Sequence, residues 1–292
     1  MMITVDNLSF SYGKRKPKVL DGFSMNLTEG NVYGLLGKNG TGKSTLLYLM
    51  AGLLRAKTGK VCFKGMDVSK RCTAILQNMF LVPEEFALPA LSMKQYVKLN
   101  APFYPNFSME QLKSCLNGFE MNEDIHLGEL SMGQKKKVFM CFALATNASL
   151  LMMDEPSNGL DIPSKSQFRK VIASGMTDEK TVIISTHQVR DIDSLLDHVL
   201  IMNDSKLLLD ESVANICDKL YFAEQGMNEP TEDVLYVQPS VQGNSVILPN
   251  LHHEDSKLNL EVLFNAMLAE KEKMQSIFNI SISIQDKLSV RL

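Results

Sequence analysis

Gly37–Thr45 reads GKNGTGKST and matches the phosphate-binding pattern G-x-x-x-x-G-K-[ST]. The apolar run VYGLL at 32–36 precedes this loop, and a helical apolar pattern at 46–50 follows it. This order predicts a buried strand, a tight turn and the N-terminus of a helix. Glycines allow the turn, and the unpaired N–H groups and dipole of the helix end favour an anion. The stretch therefore predicts a phosphate site.

Two side chains of the loop add chemistry to this turn. The Lys43 ammonium can reach the β- and γ-phosphates of a nucleotide, and the Ser44 hydroxyl can ligate Mg²⁺. A nucleoside triphosphate with Mg²⁺ is therefore the expected ligand. The nucleotide-binding residues expected from the loop are Gly37, Lys38, Asn39, Gly40, Thr41, Gly42, Lys43, Ser44 and Thr45.

Composition limits the class of protein. The chain has 292 residues, 45% of them hydrophobic, which is enough for one large domain and a small one. Its net charge of −3 does not suggest nucleic-acid binding, and no apolar run approaches the roughly 18 residues of a transmembrane helix. The N-terminus lacks the pattern of a signal peptide. Five separated cysteines predict reduced thiols in a cytosolic protein.

The pattern of apolar residues changes along the chain. Residues 2–30 alternate as antiparallel strands do, and 92–146 is helical, with possible capping boxes at Ser92 and Ser108 and a stop at Asn117-Gly118. Two continuous apolar runs predict parallel strands that are buried on both faces, with a helix between them. The runs are 150–153 and 182–184, and the helix is 165–176.

The C-terminal third has a different character. Residues 199–202 and 207–209 predict a hairpin, and the composition changes near Glu211. We predict a small α+β appendage over 213–292. Its expected elements are a polar loop at 224–233 with Gly226 and Pro230, strands at 234–237 and 246–248, and an amphipathic helix at 258–269.

An acidic pair, Asp154-Glu155, ends the first apolar run. An acidic pair at a strand end suits a metal-bound phosphate site, where Asp154 can hold Mg²⁺ and Glu155 can act as general base. Taken alone, the pair fits an ordinary polar end of a strand equally well. The phosphate loop upstream favours the catalytic interpretation.

The pentapeptide LSMGQ at 130–134 narrows the class further. With it, the chain resembles the nucleotide-binding subunit of ATP-binding cassette (ABC) transporters over about residues 1–212. The motifs stand in family order: SYG at 11–13, the phosphate loop, LSMGQ, MMDEP at 152–156, NGLD at 158–161 and STH at 185–187. The resemblance implies an α/β P-loop NTPase core with a parallel sheet, an antiparallel β subdomain and a helical subdomain at about 84–146, followed by the appendage.

The resemblance also implies roles for residues outside the loop. Tyr12 resembles the aromatic residue that stacks on adenine, and His187 the switch histidine that contacts the γ-phosphate, so that Glu155, His187 and Lys43 form the catalytic set. Asp161 resembles the aspartate that organises the subunit interface. The residues expected to bind the γ-phosphate of an opposite subunit are Ser131, Gly133 and Gln134.

Three stretches of the sequence keep a structural alternative. Ser131-x-x-Gln134 also fits a simple capping box. The three lysines at 135–137 resemble the basic residues that usually follow LSMGQ, the signature of the family, and a solvated helix face explains them equally well. The stretch NLEVLF at 259–264 resembles a helix of exporter ATPases, and a helix that docks on its own strands is an equal alternative.

One position departs from the family pattern. The family usually has a glutamine after the strand that enters the helical subdomain, and here Pro83 is followed by Glu84. Its carboxylate could bind Mg²⁺, so that Ser44, Asp154 and Glu84 are the candidate metal ligands. A glutamate here resembles ATPase subunits of export systems for antibiotics and peptides.

The sequence therefore predicts an ATP-hydrolysing subunit that drives a separate transmembrane permease, in the export direction. It is expected to bind ATP and Mg²⁺, to pair with a second cassette as a homodimer, and to lie on the cytoplasmic face of the plasma membrane through its permease, which docks on 84–130. Alternatives are an ABC ATPase acting on ribosomes or DNA, and a docking module that does not hydrolyse ATP.

Overall fold

The structure, a computed structural model, describes residues 1–226, 233–241 and 243–278. Its strands are β1 (Ile3–Phe10), β2 (Leu20–Leu27), β3 (Val32–Leu36), β4 (Thr58–Phe63), β5 (Met66–Asp67), β6 (Met79–Val82), β7 (Leu150–Asp154), β8 (Thr181–Thr186), β9 (His198–Asn203), β10 (Lys206–Ser212), β11 (Leu220–Gln225), β12 (Tyr236–Ser240) and β13 (Gly243–Pro249). Its α-helices are α1 (Lys43–Met50), α2 (Thr73–Leu76), α3 (Met93–Asn100), α4 (Met109–Gly118), α5 (Met132–Ala145), α6 (Ile162–Ser174), α7 (Val213–Lys219) and α8 (Leu260–Ala269). Within these ranges no helix is long and apolar enough to cross a membrane.

A six-stranded sheet in the order β10-β9-β3-β8-β7-β6 forms the centre of the protein. Strands β6, β7, β8, β3 and β9 are parallel, and β10 closes the edge as an antiparallel hairpin partner of β9. Every residue of β3, β7 and β8 is buried, as the continuous apolar runs predict. Because parallel strands end at one edge of a sheet, the phosphate loop after β3, the acidic pair at the end of β7 and the histidine after β8 lie side by side.

A second, antiparallel sheet in the order β2-β1-β4-β5 covers α1. In β2 the buried residues Phe23, Met25 and Leu27 alternate with exposed ones, which confirms the predicted half-buried strand. The side chains of Leu46 and Leu47 on α1 are fully buried between this sheet and the central one. Complete burial of one leucine contributes about 1.5–3 kcal/mol, so this packing holds the helix after the phosphate loop in place.

The helical region begins as the caps predict. Ser92 forms a complete capping box with Gln95, whereas at Ser108 only the bond from the Gln111 N–H to the hydroxyl forms. Helix α4 ends at Gly118 as predicted, but the residue in left-handed conformation is Glu120, at φ 56°. Gly118 is required for packing instead, because a Cβ there would lie 2.7 Å from Val171 Cγ2.

The C-terminal region contains a three-stranded sheet, β11-β13-β12, where two strands are predicted. The additional strand is β11, which the sequence does not predict because it ends in polar residues. Its last two residues, Glu224 and Gln225, fall in the predicted loop. Helix α8 confirms the amphipathic pattern, and its buried residues Leu263 and Met267 join the same core as Ile201 of the central sheet. The division at 212/213 remains a prediction. Residues 227–232, including Pro230, together with Gln242 and 279–292 of the predicted appendage, lie outside the described residues.

Candidate functional site

The phosphate loop connects β3 to α1, as the sequence predicts. Gly40 and Gly42 have φ angles of 83° and 100°, which side chains with a Cβ rarely adopt. At Gly37 a Cβ would lie only 2.8 Å from the carbonyl oxygen of Met202. The glycine spacing therefore serves both the turn and its close packing against β9.

Lys43 begins α1 and is buried. Its ammonium donates to the carbonyl oxygens of Gly37 at 2.7 Å and Lys38 at 3.2 Å, and lies 3.8 Å from Glu155 Oε1. Burial lowers the pKa of this ammonium, and the adjacent Glu155 carboxylate opposes the shift. The lysine thus stands between the loop carbonyls and the acidic end of β7.

Glu155 has a left-handed backbone, with φ 45°. Its Oε1 accepts hydrogen bonds from the His187 N–H at 3.0 Å and lies 2.8 Å from His187 Nδ1, and its Oε2 accepts from the Thr186 hydroxyl at 3.1 Å. A non-glycine residue in this conformation costs about 1–3 kcal/mol, and such strain concentrates at functional sites. The end of β8 therefore holds the carboxylate in one orientation.

A cavity of about 500 Å³ opens beside these groups. Its walls come from the SYG motif, the phosphate loop, Glu155 of the acidic pair and the histidine after β8. Its lining residues are Tyr12, Val19, Asn39, Gly40, Gly42, Lys43, Ser44, Thr45, Glu84, Glu155, Asn158 and His187. The other predicted loop residues, Gly37, Lys38 and Thr41, shape the loop without lining the cavity; the Thr41 hydroxyl donates to the Lys38 carbonyl at 2.9 Å.

The signature residues are not part of this lining. Ser131 caps α5 and forms a complete capping box with Gln134, so the structural alternative of the sequence is realised. A Cβ at Gly133 would lie 3.7 Å from the Gly159 carbonyl oxygen, next to the loop that leads to Asp161. The Asp161 carboxylate caps α6 by accepting from the Ser164 N–H at 2.9 Å. Hydrogen bonding from Ser164, first from its hydroxyl and then from its N–H, lowers the pKa of Asp161. Ser131 and Gln134 are exposed to solvent.

Comparison with known proteins supplies the family. A family model described as ABC transporter matches residues 20–158. The chelated iron transport system membrane protein YfeB of Yersinia pestis is 31% identical over 221 residues, which make up 70% of this chain and 72% of YfeB. The chain belongs to the ATP-binding subunits of the ABC transporter family.

Further relatives and solved structures agree. The lantibiotic transport ATP-binding protein SrtF of Streptococcus pyogenes is 29% identical over 212 residues, 72% of this chain and 90% of SrtF. The ABC transporter ATP-binding protein YtrB of Bacillus subtilis is 27% identical over 192 residues, and the match covers 65% of each chain. The dimeric structure of the bacterial ABC transporter cassette MJ0796 superposes with a TM-score of 0.64 at 23% identity, covering 73% of this chain and 99% of that one. The fold prediction is therefore confirmed.

The residues of this cassette fit a magnesium ion. Asp154 is buried behind the cavity, where its carboxylate accepts a hydrogen bond from the Ser185 hydroxyl, while Ser44 and Glu84 line the cavity. In the described part of the chain no three His, Cys, Asp or Glu side chains form a metal cluster of their own. Hard oxygen donors limited to one or two carboxylates suit Mg²⁺, which takes its remaining ligands from phosphates and water.

Glu84 lies within this site. Its Oε1 accepts from Asn158 Nδ2 at 2.9 Å, which ties the segment after β6 to the loop after Glu155. The cassette therefore carries three carboxylates near one cavity, from Glu84, Asp154 and Glu155. The assignment of Glu84 as a metal ligand stays a prediction.

Tyr12 lies at the rim of the cavity. Its ring meets Phe10 edge-on at 5.0 Å between centroids, and its hydroxyl lies 3.0 Å from Thr45 Oγ1. The residue is 57% exposed, so much of the side chain is open to solvent beside the loop. This placement is compatible with stacking on a base, which remains a prediction.

The sequence interpretation missed Lys136. It is buried at 9% exposure, and its ammonium donates to the Asn158 carbonyl at 2.8 Å, with a longer contact of 3.4 Å to the Glu155 carbonyl. A solvated helix face is therefore wrong for this lysine. Three successive lysines look equivalent in a sequence. Their positions around the predicted helix could nevertheless have shown which of them faces the core. Lys136 lies four residues before the buried Met140 and seven before the buried Ala143.

Proposed function

We propose that this chain binds and hydrolyses ATP and thereby drives a separate membrane permease. The observation that carries the proposal is the contact of Glu155 with both Lys43 and His187 in one cavity on the phosphate loop. A nucleotide-binding site alone would need only the loop. A carboxylate held by the end of β8, beside the phosphate-binding lysine, adds a positioned base.

In this mechanism the loop N–H groups and Lys43 bind the triphosphate of ATP. The Glu155 carboxylate takes a proton from the water that attacks the γ-phosphorus, the bond to the bridging oxygen breaks, and ADP and phosphate leave. Oε2 accepts one hydrogen bond, from Thr186, among the described residues, which leaves a lone pair for this water. Mg²⁺, held by Ser44 and Asp154, would neutralise charge on the phosphates.

His187 has a defined tautomer in this arrangement. An ionised carboxylate only accepts hydrogen bonds, so Nδ1, at 2.8 Å from Oε1, must carry a proton. The ring also lines the cavity, where its second nitrogen, Nε2, would meet the γ-phosphate of a bound nucleotide. The histidine would thereby link the base to the phosphate.

We further propose that two copies of the cassette pair head to tail. Ser131, at the exposed N-terminus of α5, lies outside its own cavity. Its hydroxyl and the N–H groups of the first turn of α5 would bind the ATP of the second copy, while the Ser131 N–H itself donates to Gln134 Oε1 at 3.0 Å. Asp161 would lie at the same interface. Two ATP molecules would then join the dimer, and hydrolysis would release it.

The permease is expected to dock on the helical region at 84–130. Leu99, Phe103 and Met109 expose large apolar side chains there, and Phe103 is 70% exposed. Exposed apolar residues on one surface region mark interaction sites. This docking would place the chain on the cytoplasmic face of the plasma membrane.

The proposed direction of transport is export, and it rests on Glu84 alone. The names of the relatives do not decide the direction, because proteins named for methionine import and zinc uptake also match this chain.

Substitution of Phe103 tests the docking surface. Phe103→Glu should lower recovery of a membrane subunit in detergent pull-downs at least about tenfold, because a charge replaces an apolar anchor. Val241→Glu, at a position 93% exposed and remote in sequence, is the control and should leave recovery unchanged. Recovery of ribosomes or DNA in place of a membrane protein would contradict the transport assignment.

Substitution of Glu84 tests its role in the site. Glu84→Gln should raise the Mg²⁺ concentration needed for half-maximal ATP hydrolysis at least about threefold, because one anionic oxygen donor is lost. The adjacent Glu85 is exposed and does not line the cavity, so Glu85→Gln is a matched control. An unchanged rate and an unchanged Mg²⁺ dependence would make Glu84 a bystander.

ATPase activity of the purified chain is the direct test of the proposed function. We expect Mg²⁺-dependent release of phosphate from ATP. Tight ATP binding without any hydrolysis would instead support a nucleotide-dependent docking module.

A further inference from the structure

Lys136 joins two parts of the cassette that serve different nucleotides in the proposed dimer. It lies on α5, five residues after Ser131, which caps that helix. Its ammonium reaches the carbonyl of Asn158, in the loop that follows Glu155. One buried side chain therefore connects the signature helix to the loop beside the catalytic base.

Asn158 continues this connection to Glu84. The asparagine accepts from Lys136 through its backbone carbonyl at 2.8 Å and donates to Glu84 through its side-chain amide at 2.9 Å. Both contacts act on one residue, so a shift of Lys136 would move the partner of the Glu84 carboxylate. The longer contact of Lys136 with the Glu155 carbonyl reaches the residue with the left-handed backbone.

The positive charge of Lys136 also acts on the carboxylates around it. Burial lowers the pKa of its ammonium, and the carboxylates of Glu84, Glu155 and Asp154 oppose this shift, Glu84 most strongly among them. A neutral donor would satisfy the Asn158 carbonyl without the cost of burying a charge. A buried cation at this place is better explained by the carboxylates near it, among them Glu84 and Glu155.

We infer that Lys136 is a positioning residue for ATP hydrolysis, which holds Asn158 in place and offsets the charge of the Glu84 carboxylate. The inference rests on the proposed function. It implies that Lys136 and Glu84 act as a pair, although Asn158 lies between them.

A double-mutant cycle tests this pair in the full-length chain. The unmodified protein, Lys136→Met, Glu84→Gln and the double variant are compared at saturating MgATP. Lys136→Met should lower kcat about tenfold or more, since small misplacements of reacting groups are costly, and should leave KM within about threefold. With glutamine at 84, the factor by which the same change lowers kcat should be at least about threefold smaller, because the Glu84 charge is gone and only the hold on Asn158 is lost.

Two further variants separate charge from structure. Lys136→Gln keeps a donor for the Asn158 carbonyl and removes the charge, so the loss that it causes should disappear when residue 84 is glutamine. Lys170→Met removes an exposed lysine of α6 and should leave kcat unchanged. Melting temperatures give a second cycle that needs no activity, in which Lys136→Met should destabilise less in the Glu84→Gln background.

Equal losses in both backgrounds would overturn the inference, because Lys136 would then only connect a helix to a loop. Failure of both Lys136 variants to fold would overturn it for the same reason. Absence of ATPase activity in the unmodified chain would contradict the proposed function instead, and the melting cycle would still decide the pairing of Lys136 with Glu84.

Discussion

Glu155→Gln is expected to lower ATP turnover by about 10²–10⁴-fold, the usual contribution of a positioned general base. The amide can still accept from Thr186 through its oxygen, but it cannot take a proton from water at neutral pH. The substitution also removes the negative charge 3.8 Å from the Lys43 ammonium. ATP binding should therefore be retained or strengthened, and the ATP-bound dimer should persist.

Phosphate release, equilibrium binding of ATP and size-exclusion chromatography with MgATP together check this expectation. Glu110→Gln, an exposed carboxylate in the first turn of α4, is the control and should behave as the unmodified protein. Hydrolysis at the normal rate in Glu155→Gln would remove the residue from the base role. Loss of ATP binding would point to a structural role of the carboxylate in the loop.

A mixture of two inactive variants should regain activity if each site is shared between copies. Lys43→Ala removes the phosphate-binding lysine, and Ser131→Arg blocks the signature, so each homodimer should be inactive. In a mixed dimer the loop of the Ser131→Arg copy faces the intact signature of the Lys43→Ala copy. Random pairing makes half of the dimers mixed with one intact site of two, so about a quarter of normal activity is expected for independent sites.

A second mixture provides the control. Lys43 and Glu155 belong to the same cavity, so Lys43→Ala mixed with Glu155→Gln leaves no intact site in any dimer. That mixture should stay inactive, whereas Lys43→Ala with Ser131→Arg should not. If neither mixture exceeds the sum of its parts, the sites are not shared. Loss of the Ser131 cap costs about 1 kcal/mol, so melting curves must show that the variant is folded.

The fold was predictable where the pattern of residues has a local cause. The continuous apolar runs predict β7 and β8, and the alternation at 23–27 predicts β2, because burial on two faces or one face selects these patterns. Strand β11 was not predicted, because its last residues are polar. It is stabilised by pairing with β13, which follows it only after an intervening segment of the chain. The residues of β11 alone contain no pattern that predicts such a pairing.

The candidate site was predictable to the level of its motifs. The glycine loop, Asp154-Glu155 and His187 follow three strands that the sequence predicts as buried, and their meeting at one sheet edge follows from parallel order. The bonds between them were not predictable. The contact of His187 with Glu155 and that of Asn158 with Glu84 cannot be derived from sequence spacing. Each contact joins two segments that follow different strands and are distant in the sequence.

By itself the sequence determined that this chain has a phosphate loop and the motifs of an ABC cassette. Those features depend on backbone conformation and residue order, which short segments encode directly, as Gly37–Thr45 does. Only the tertiary structure decided which of three adjacent lysines is buried, and that Lys136 reaches the loop after Glu155. The physical reason is that burial and hydrogen bonding of a side chain depend on the segments packed against it, which here come from distant parts of the chain.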